Sequence, residues 1–337
     1  MSVLVTGSNG FLGAALIDRL LARGETREVR AMVRAGSDRR RLDAVAARYP
    51  GRALRIVEGS LASADAAARV LEGVQVVHHL AASLRGAAAD MFLNTVVTSK
   101  NLLEAAARSK SPPRMVLVSS FSVYGVADLP RGAVVDEATP FEATPERRDL
   151  YAQVKVRQER LFRDYHAQHG IPLVVVRPGV IYGPGGSALS VRVGLRMPGV
   201  FLHFGGSNVL PLTYVDNCAE ALCVAADRAG GDAETINVVD DDLPTASAYL
   251  ARYRREVERL RSVRVPYPVT MAMSALVERY HHWSKGQLPA IFTPYKSATA
   301  WKGNRFDNAR LKALGWRQVV PTEEGLARTF ADLAARR

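Results

Sequence analysis

An apolar run, Val3-Leu4-Val5, ends in Thr6-Gly7-Ser8-Asn9-Gly10-Phe11-Leu12-Gly13, and an amphipathic helical pattern follows to Arg23. Few short segments restrict a fold more. The first glycine permits a tight turn, the second lets the backbone approach a pyrophosphate, and the third lets the helix pack on the strand. Free N–H groups at the start of that helix then face the anion. A glycine triplet alone is weak, and its plain reading is a structural βα turn. Its place between a strand and an amphipathic helix favours dinucleotide binding by Gly7, Ser8, Asn9, Gly10, Phe11, Leu12 and Gly13.

The pattern repeats down the chain. Val3–Val5, Val29–Val33, Leu54–Val57, Val74–Leu80, Met115–Val118 and Leu173–Val176 are Val-rich runs, as strands buried on both faces should be. Helical patterns intervene at Leu12–Arg23, Ala64–Leu71, Val96–Arg108 and Tyr151–His169. The last stops at Gly170, with Pro172 beyond it, a sound C-terminal signal. Alternating strands and helices predict an α/β fold with a Rossmann-type doubly wound parallel sheet. Residues 1–178 form the dinucleotide-binding domain, with 213–240 returning to it. Residues 179–212 and 241–337 form a smaller, mostly helical substrate region.

Hydrophobic residues make up 48% of the 337, enough for a sizeable core in a soluble enzyme. The net charge of +12 suits anionic partners, but abundant arginine explains it as composition bias. Nucleic-acid binding rests on that charge alone and is not expected. Cys218 and Cys223 fall on one helical segment and read as small core residues of a reducing compartment. Ser2–Val5 enters a strand with no basic leader before it, so the expected location is cytoplasmic. No apolar run reaches the roughly 18 residues of a membrane span. The nearest, Val263 to Leu276, leaves contact with a membrane surface or an apolar substrate open. His166 and His169 have metal-like spacing but lie on a polar helix end, so no metal is expected.

The second strand bears on the cofactor. NAD sites place an acid after it, on the ribose 2′-hydroxyl. Here Arg34 stands there, and Arg39, Arg40 and Arg41 follow. Guanidinium suits a 2′-phosphate, which favours NADP(H) and leaves NAD(H) second. The plain reading of these arginines is a solvated helix face.

The fifth strand runs into Ser119-Ser120-Phe121-Ser122-Val123-Tyr124-Gly125, and Tyr151-Ala152-Gln153-Val154-Lys155 comes later. Tyr151 and Lys155, at i and i+4, share a helix face. An ammonium beside a phenol lowers its pKa, making a proton donor and acceptor near neutral pH. A serine at the strand end would orient the reacting oxygen.

These segments together resemble the extended short-chain dehydrogenase/reductase family over nearly the whole chain. The resemblance rests on Thr6–Gly13, on His79-Leu80-Ala81-Ala82, on Asn94, and on Ser119–Gly125. It continues through Tyr151 with Lys155, Arg177-Pro178, Tyr182-Gly183-Pro184-Gly185, Tyr214-Val215-Asp216-Asn217 and Leu314-Gly315-Trp316. It implies that Ser120, Tyr151 and Lys155 are catalytic, that Lys155 also grips the nicotinamide ribose, and that Asn94 works near the nicotinamide. Leu80, Ala81 and Ala82 would border the cofactor, and Pro178, Gly179 and Val180 would meet the nicotinamide amide. The family often has Gly-Asp-Leu after the third strand; Gly59-Ser60-Leu61 stands here, so Ser60 would replace the acid beside the adenine. A homodimer is a further implication.

Two subgroups compete for the substrate. Nucleotide-sugar epimerases and dehydratases carry an Asn and an Arg on the sugar-nucleotide diphosphate, where Val180 and Leu210 stand in this chain. The 3β-hydroxysteroid dehydrogenase-like subgroup reduces apolar ketones and β-keto acids, and Arg177–Gly185, Leu212–Asn217 and Val265–Met273 resemble it. The expected substrate is therefore an apolar alcohol or ketone, met by Ser122, Tyr124, Val180, Leu202, Leu210 and Met271. Arg192, Arg196 and His203 point instead to an anionic substrate and keep the epimerase alternative open. A catalytically silent cofactor-binding protein is the third reading, disfavoured by the complete Ser120, Tyr151 and Lys155 set.

Overall fold

The computed structural model describes residues 1–186, 189–190, 192–230, 232–284 and 293–336. The chain opens with β1 (Ser2–Thr6), α1 (Phe11–Arg23), β2 (Glu28–Val33), α2 (Arg40–Arg48), β3 (Leu54–Glu58), α3 (Ala64–Leu71) and β4 (Val76–His79). Next, α4 (Ala88–Phe92) passes through a π turn, Leu93–Val97, into α5 (Thr98–Ala107), and β5 (Arg114–Val118) follows. After β6 (Val134–Val135) come α6 (Leu150–His169), β7 (Leu173–Pro178), β8 (Val180–Tyr182), β9 (Gly194–Met197) and β10 (Val200–His203). Then β11 (Leu212–Tyr214) leads into α7 (Val215–Arg228), β12 (Asp232–Val238) and α8 (Ala246–Glu256). The chain closes with β13 (Ser262–Arg264), α9 (Tyr267–Trp283), α10 (Pro294–Trp301), β14 (Arg305–Phe306), α11 (Ala309–Ala313) and α12 (Thr322–Ala335).

Seven strands form one parallel sheet in the order β12-β7-β5-β4-β1-β2-β3. The strand period of two divides its core. Val3 and Val5 of β1 face the layer of α1 and α7, while Leu4 faces that of α3, α5 and α6. Both faces are covered, which explains the continuous apolar runs. The chain leaves β1 for β2 on one side, and β4 pairs on the other. That switch point opens a crevice at the carboxyl ends of the strands, where ligands of such sheets bind.

The C-terminal region is mostly helical, as the sequence suggests, with α8 to α12. Short strands outside the main sheet pair as β13-β10-β9, β11-β8 and β14-β6. These strands have two to four residues, too few for a period to show. The Val263–Leu276 stretch divides into β13 and part of α9, which leaves Leu276, Tyr280 and Trp283 exposed. No helix among the described residues is long and apolar enough to cross a membrane. Cys218 and Cys223 are free and buried, and Trp316 is buried with its indole donating to the Asn217 carbonyl at 3.2 Å.

Candidate active site

The glycine turn closes on itself and on β4. Gly7 has φ 67°, and a Cβ there would stand 3.0 Å from the Leu80 and Ala81 backbone. A Cβ on Gly13 would stand 2.3 Å from the Gly7 carbonyl oxygen. Real Cβ atoms do not come as close to backbone as 2.3 Å, and Gly7 combines a tight approach with left-handed φ, so both positions favour glycine. No side chain caps the α1 N-terminus at Gly10, so its first N–H groups stay free for an anion.

A cleft of about 960 Å³ runs from this turn across the sheet edge. Gly7, Asn9, Gly10, Phe11, Leu12, Gly13, Arg34, Leu61, Leu80, Ala81 and Ala82 line it, and so do Pro178, Gly179 and Val180. Ser120, Tyr151, Lys155 and Asn94 open on the same cleft. The turn, the volume and the uncapped helix suit an extended dinucleotide.

The side chains of two expected cofactor contacts are engaged within the protein. Ser8 is fully buried and donates to the Met32 carbonyl at 2.6 Å, holding the turn to β2. Ser60 is exposed, and its hydroxyl accepts from the Ala62 N–H at 3.1 Å, leaving only Leu61 on the cleft. Asn94 lies in the π turn and borders the cleft. Its Oδ1 accepts from Arg34 at 3.2 Å, beside the end of β2. Of the following arginines, Arg41 lines the cleft and donates to the Gly185 carbonyl, while Arg40 is paired to Asp38.

The catalytic candidates are set by β5 and α6. Asp149 caps α6, accepting from the Ala152 N–H at 3.0 Å, which puts Tyr151 in the first turn. Such a cap contributes about 1 kcal/mol. Ser119 and Ser120 both border the cleft, but their hydroxyls have different partners. The Ser119 hydroxyl donates to Glu159 at 2.5 Å, and Glu159 also receives Arg177 at 2.6 Å and Arg163 at 2.9 Å. Burial alone would raise the Glu159 carboxyl, but Arg177 and Ser119 outweigh it and hold it below its ordinary value. This buried cluster clamps α6 to β5 and β7, leaving Ser120 on the cleft.

The electrostatics of Tyr151 differ from the expectation. Burial raises its phenol, the Ser120 hydroxyl opposes that rise, and Asp149 adds to it. The Lys155 ammonium donates instead to the Val118 carbonyl at 2.6 Å and to Gln158 at 2.5 Å. Burial pushes Lys155 down to about 7, so its own charge is weakened near neutral pH. The i, i+4 spacing puts both groups on one face but does not decide where the ammonium points.

Beside Ser120 a second cavity of about 220 Å³ shares Ser120, Gly179 and Val180 with the cleft. Ser122 lines it, but Tyr124, Leu202, Leu210 and Met271 do not. Tyr124 is fully buried, donates to Asn237 at 2.6 Å and lies under the Arg177 guanidinium. Leu210 is core, and Leu202 is held in β10. The lining sets Arg148, Arg192, Lys296 and Asp149 among the apolar Phe121, Val180, Phe204 and Pro211. Arg196 is exposed and paired with Glu258, and His203 is bonded to Val193 and Ser247, so neither belongs to it. His78 and His79, one of which the sequence puts beside the cofactor, are both fully buried behind the cleft.

A model of the NAD dependent epimerase/dehydratase family matches residues 3–238. The chain belongs to that family, and it is an enzyme of the extended short-chain dehydrogenase/reductase type. It is similar to a 2-alkyl-3-oxoalkanoate reductase of Shewanella oneidensis, at 26% identity over 98% of this chain and 85% of the relative. A 3-beta-hydroxysteroid dehydrogenase of Mycolicibacterium neoaurum is 26% identical over 96% of this chain and 89% of the relative. Among solved structures, the dTDP-glucose 4,6-dehydratase DesIV of Streptomyces venezuelae, with NAD and TYD bound, has a TM-score of 0.73. Its 22% identity, over 100% of this chain and 98% of that one, speaks for the fold alone.

Proposed function

We propose that the protein is an NAD(P)-dependent dehydrogenase or reductase acting on the alcohol or ketone group of a small molecule. The observation that carries this is one cleft shared by the glycine turn and by Ser120, Tyr151 and Lys155. The similarity to a 2-alkyl-3-oxoalkanoate reductase and a 3-beta-hydroxysteroid dehydrogenase supports net oxidation or reduction.

The turn at Gly7–Gly13 and the free N–H groups of α1 would hold the pyrophosphate, and Pro178–Val180 would border the nicotinamide. When bound, the nicotinamide supplies or accepts the hydride equivalent. Ser120 holds the substrate oxygen by hydrogen bonding. Tyr151 gives a proton to that oxygen on reduction and takes it on oxidation. Lys155, whose ammonium is held by the Val118 carbonyl and Gln158, would bind the ribose hydroxyls. Arg34 and Arg41 border the adenosine end without a carboxylate at the end of β2, which favours the 2′-phosphate of NADP(H). Association as a homodimer, with a small molecule as the only other partner, completes the reading.

Absorbance of the reduced nicotinamide tests it, with either cofactor and two substrate sets. Net turnover with ketones, β-keto acids or sterols is the expected result. Interconversion of UDP- or dTDP-sugars without net cofactor consumption would replace it with epimerase chemistry.

A further inference from the structure

The small cavity beside Ser120 is built for more than a neutral ketone. Three cationic side chains line it, and two are balanced locally. Lys296 lies 3.2 Å from the Asp149 carboxylate. Arg148 stacks on the Tyr295 ring, donates to the Tyr124 carbonyl at 3.0 Å, and lies 3.9 Å from the fully buried Glu142. Arg192 is half-buried and has no carboxylate partner among the described residues. Burial pushes its guanidinium down to about 10, and the neighbouring Arg148 adds to that. Desolvating a cation without a partner is costly, and an anion entering the cavity would relieve it.

A second observation points the same way. The Ser122 hydroxyl and the Arg148 Nε are buried polar atoms on lining residues, and neither has a hydrogen-bond partner among the described residues. Native proteins leave few such groups unmet. An acceptor-only group with several lone pairs meets a guanidinium and two further donors, and a carboxylate is that group.

We infer that this cavity is the subsite for a carboxylate on the substrate, with Arg192 as its counter-ion and Ser122 as a second donor. The inference rests on the proposed oxidoreductase activity and names its substrate class as a compact oxo acid or hydroxy acid. Charge decides for a carboxylate over a phosphate. One cation is uncompensated among the described residues, whereas a phosphate monoester brings a charge of about −1.5 to −2. Size decides against a steroid or sugar nucleotide seated here. A volume of about 220 Å³ lies below the roughly 300–1,000 Å³ typical of sites for larger ligands. Ser120 lines both cavities, so the reacting oxygen and the carboxylate belong to one short molecule.

The test pairs each acid with its methyl ester. Reduction of 3-oxobutanoate and longer 3-oxo acids, and of their methyl esters, is followed with the wild type, Arg192→Gln and Arg192→Lys. The wild type is expected to favour acids by roughly 30-fold or more in kcat/KM, the worth of a buried charge pair. In Arg192→Gln that ratio falls toward one, mainly through KM, and Arg192→Lys restores part of it. A binding arm needs no turnover: 3-oxobutanoate, its methyl ester and inorganic phosphate are titrated into protein loaded with reduced cofactor, and nicotinamide fluorescence is read. Acid binding that Arg192→Gln abolishes supports the subsite even without turnover, in which case the oxidoreductase reading is what fails. Equal binding of acid and ester, a ratio unmoved by Arg192→Gln, or tighter phosphate than carboxylate would each overturn the carboxylate subsite.

Discussion

Gln158 bridges Lys155 and Ser99: its Oε1 accepts from the Lys155 ammonium at 2.5 Å, and its Nε2 donates to the Ser99 hydroxyl at 2.8 Å. Ser99 in turn donates to the Thr95 carbonyl at 2.5 Å, so the His79 Nε2 contact with Ser99 at 3.0 Å has histidine as donor. His79 Nδ1 is then the acceptor for Thr6 at 2.9 Å, and Thr6 accepts from the Ala81 N–H at 3.3 Å. A buried polar chain therefore links Lys155 to the strand that carries the glycine turn.

Gln158 is a positioning residue in this account. Its acceptor favours the charged form of Lys155, which burial otherwise pushes down to about 7. Gln158→Leu should move the high-pH limb of kcat/KM toward lower pH, and Gln158→Glu should move it upward. A limb that stays put in both variants, measured over pH 6 to 10, would mean the contact is only structural.

Tyr151→Phe keeps the ring and removes the proton. Turnover should fall by about 10²–10⁴-fold, the usual worth of a general acid or base. Cofactor affinity, read by fluorescence quenching, should hold within about threefold. Unchanged turnover would remove Tyr151 from the chemistry.

Arg34 bears on cofactor choice. It lines the cleft directly after β2 and is tethered to Asn94 at 3.2 Å. Arg34→Asp should weaken NADP(H) by roughly ten- to a hundredfold, the range of one charged contact, and strengthen NAD(H). Titrating both cofactors checks this, and an unchanged ratio would assign the preference elsewhere.

The Glu159 cluster predicts a stability effect. Removing one partner of a buried ion pair leaves the other charge uncompensated, at about 3–5 kcal/mol. Glu159→Ala should lose an amount of that order in urea unfolding, because Arg177 is buried and its shortest bond, 2.6 Å, runs to Glu159. A loss below about 1 kcal/mol would show that the clamp is unimportant.

His78 predicts an acid-sensitive fold. It is buried, its Nδ1 has no partner, and burial holds it neutral down to about 4. The unfolded chain binds the proton near 6.5, so the unfolded state gains protons first as pH falls. Stability is complete above about 6.5 and declines toward 4, by on the order of 3 kcal/mol from this group. Asp240, raised to about 6 by burial, acts in the opposite sense, so the difference between wild type and His78→Leu isolates the histidine. Parallel urea midpoints for the two proteins from pH 7 to 4 would refute the assignment.

The sequence by itself determined the parallel sheet, the glycine turn and the approximate bounds of the first strands and helices. Those depend on periods and on local backbone demands, such as a glycine where a Cβ would meet a carbonyl at 2.3 Å. It also offered Ser120, Tyr151 and Lys155 as candidates: i, i+4 spacing puts the last two on one helix face, and the family resemblance picks Ser120 from the serine cluster. Only the tertiary structure decided what each side chain faces. Ser119 turns to Glu159 while Ser120 opens on the cleft, Lys155 turns to Val118 and Gln158, and Tyr124 goes to the core. The cavity beside Ser120 sets Arg148, Arg192 and Lys296, from three separate stretches of chain, among apolar neighbours. No spacing rule spans such distances: charge balance in a cavity depends on which carboxylates the fold brings beside which cations.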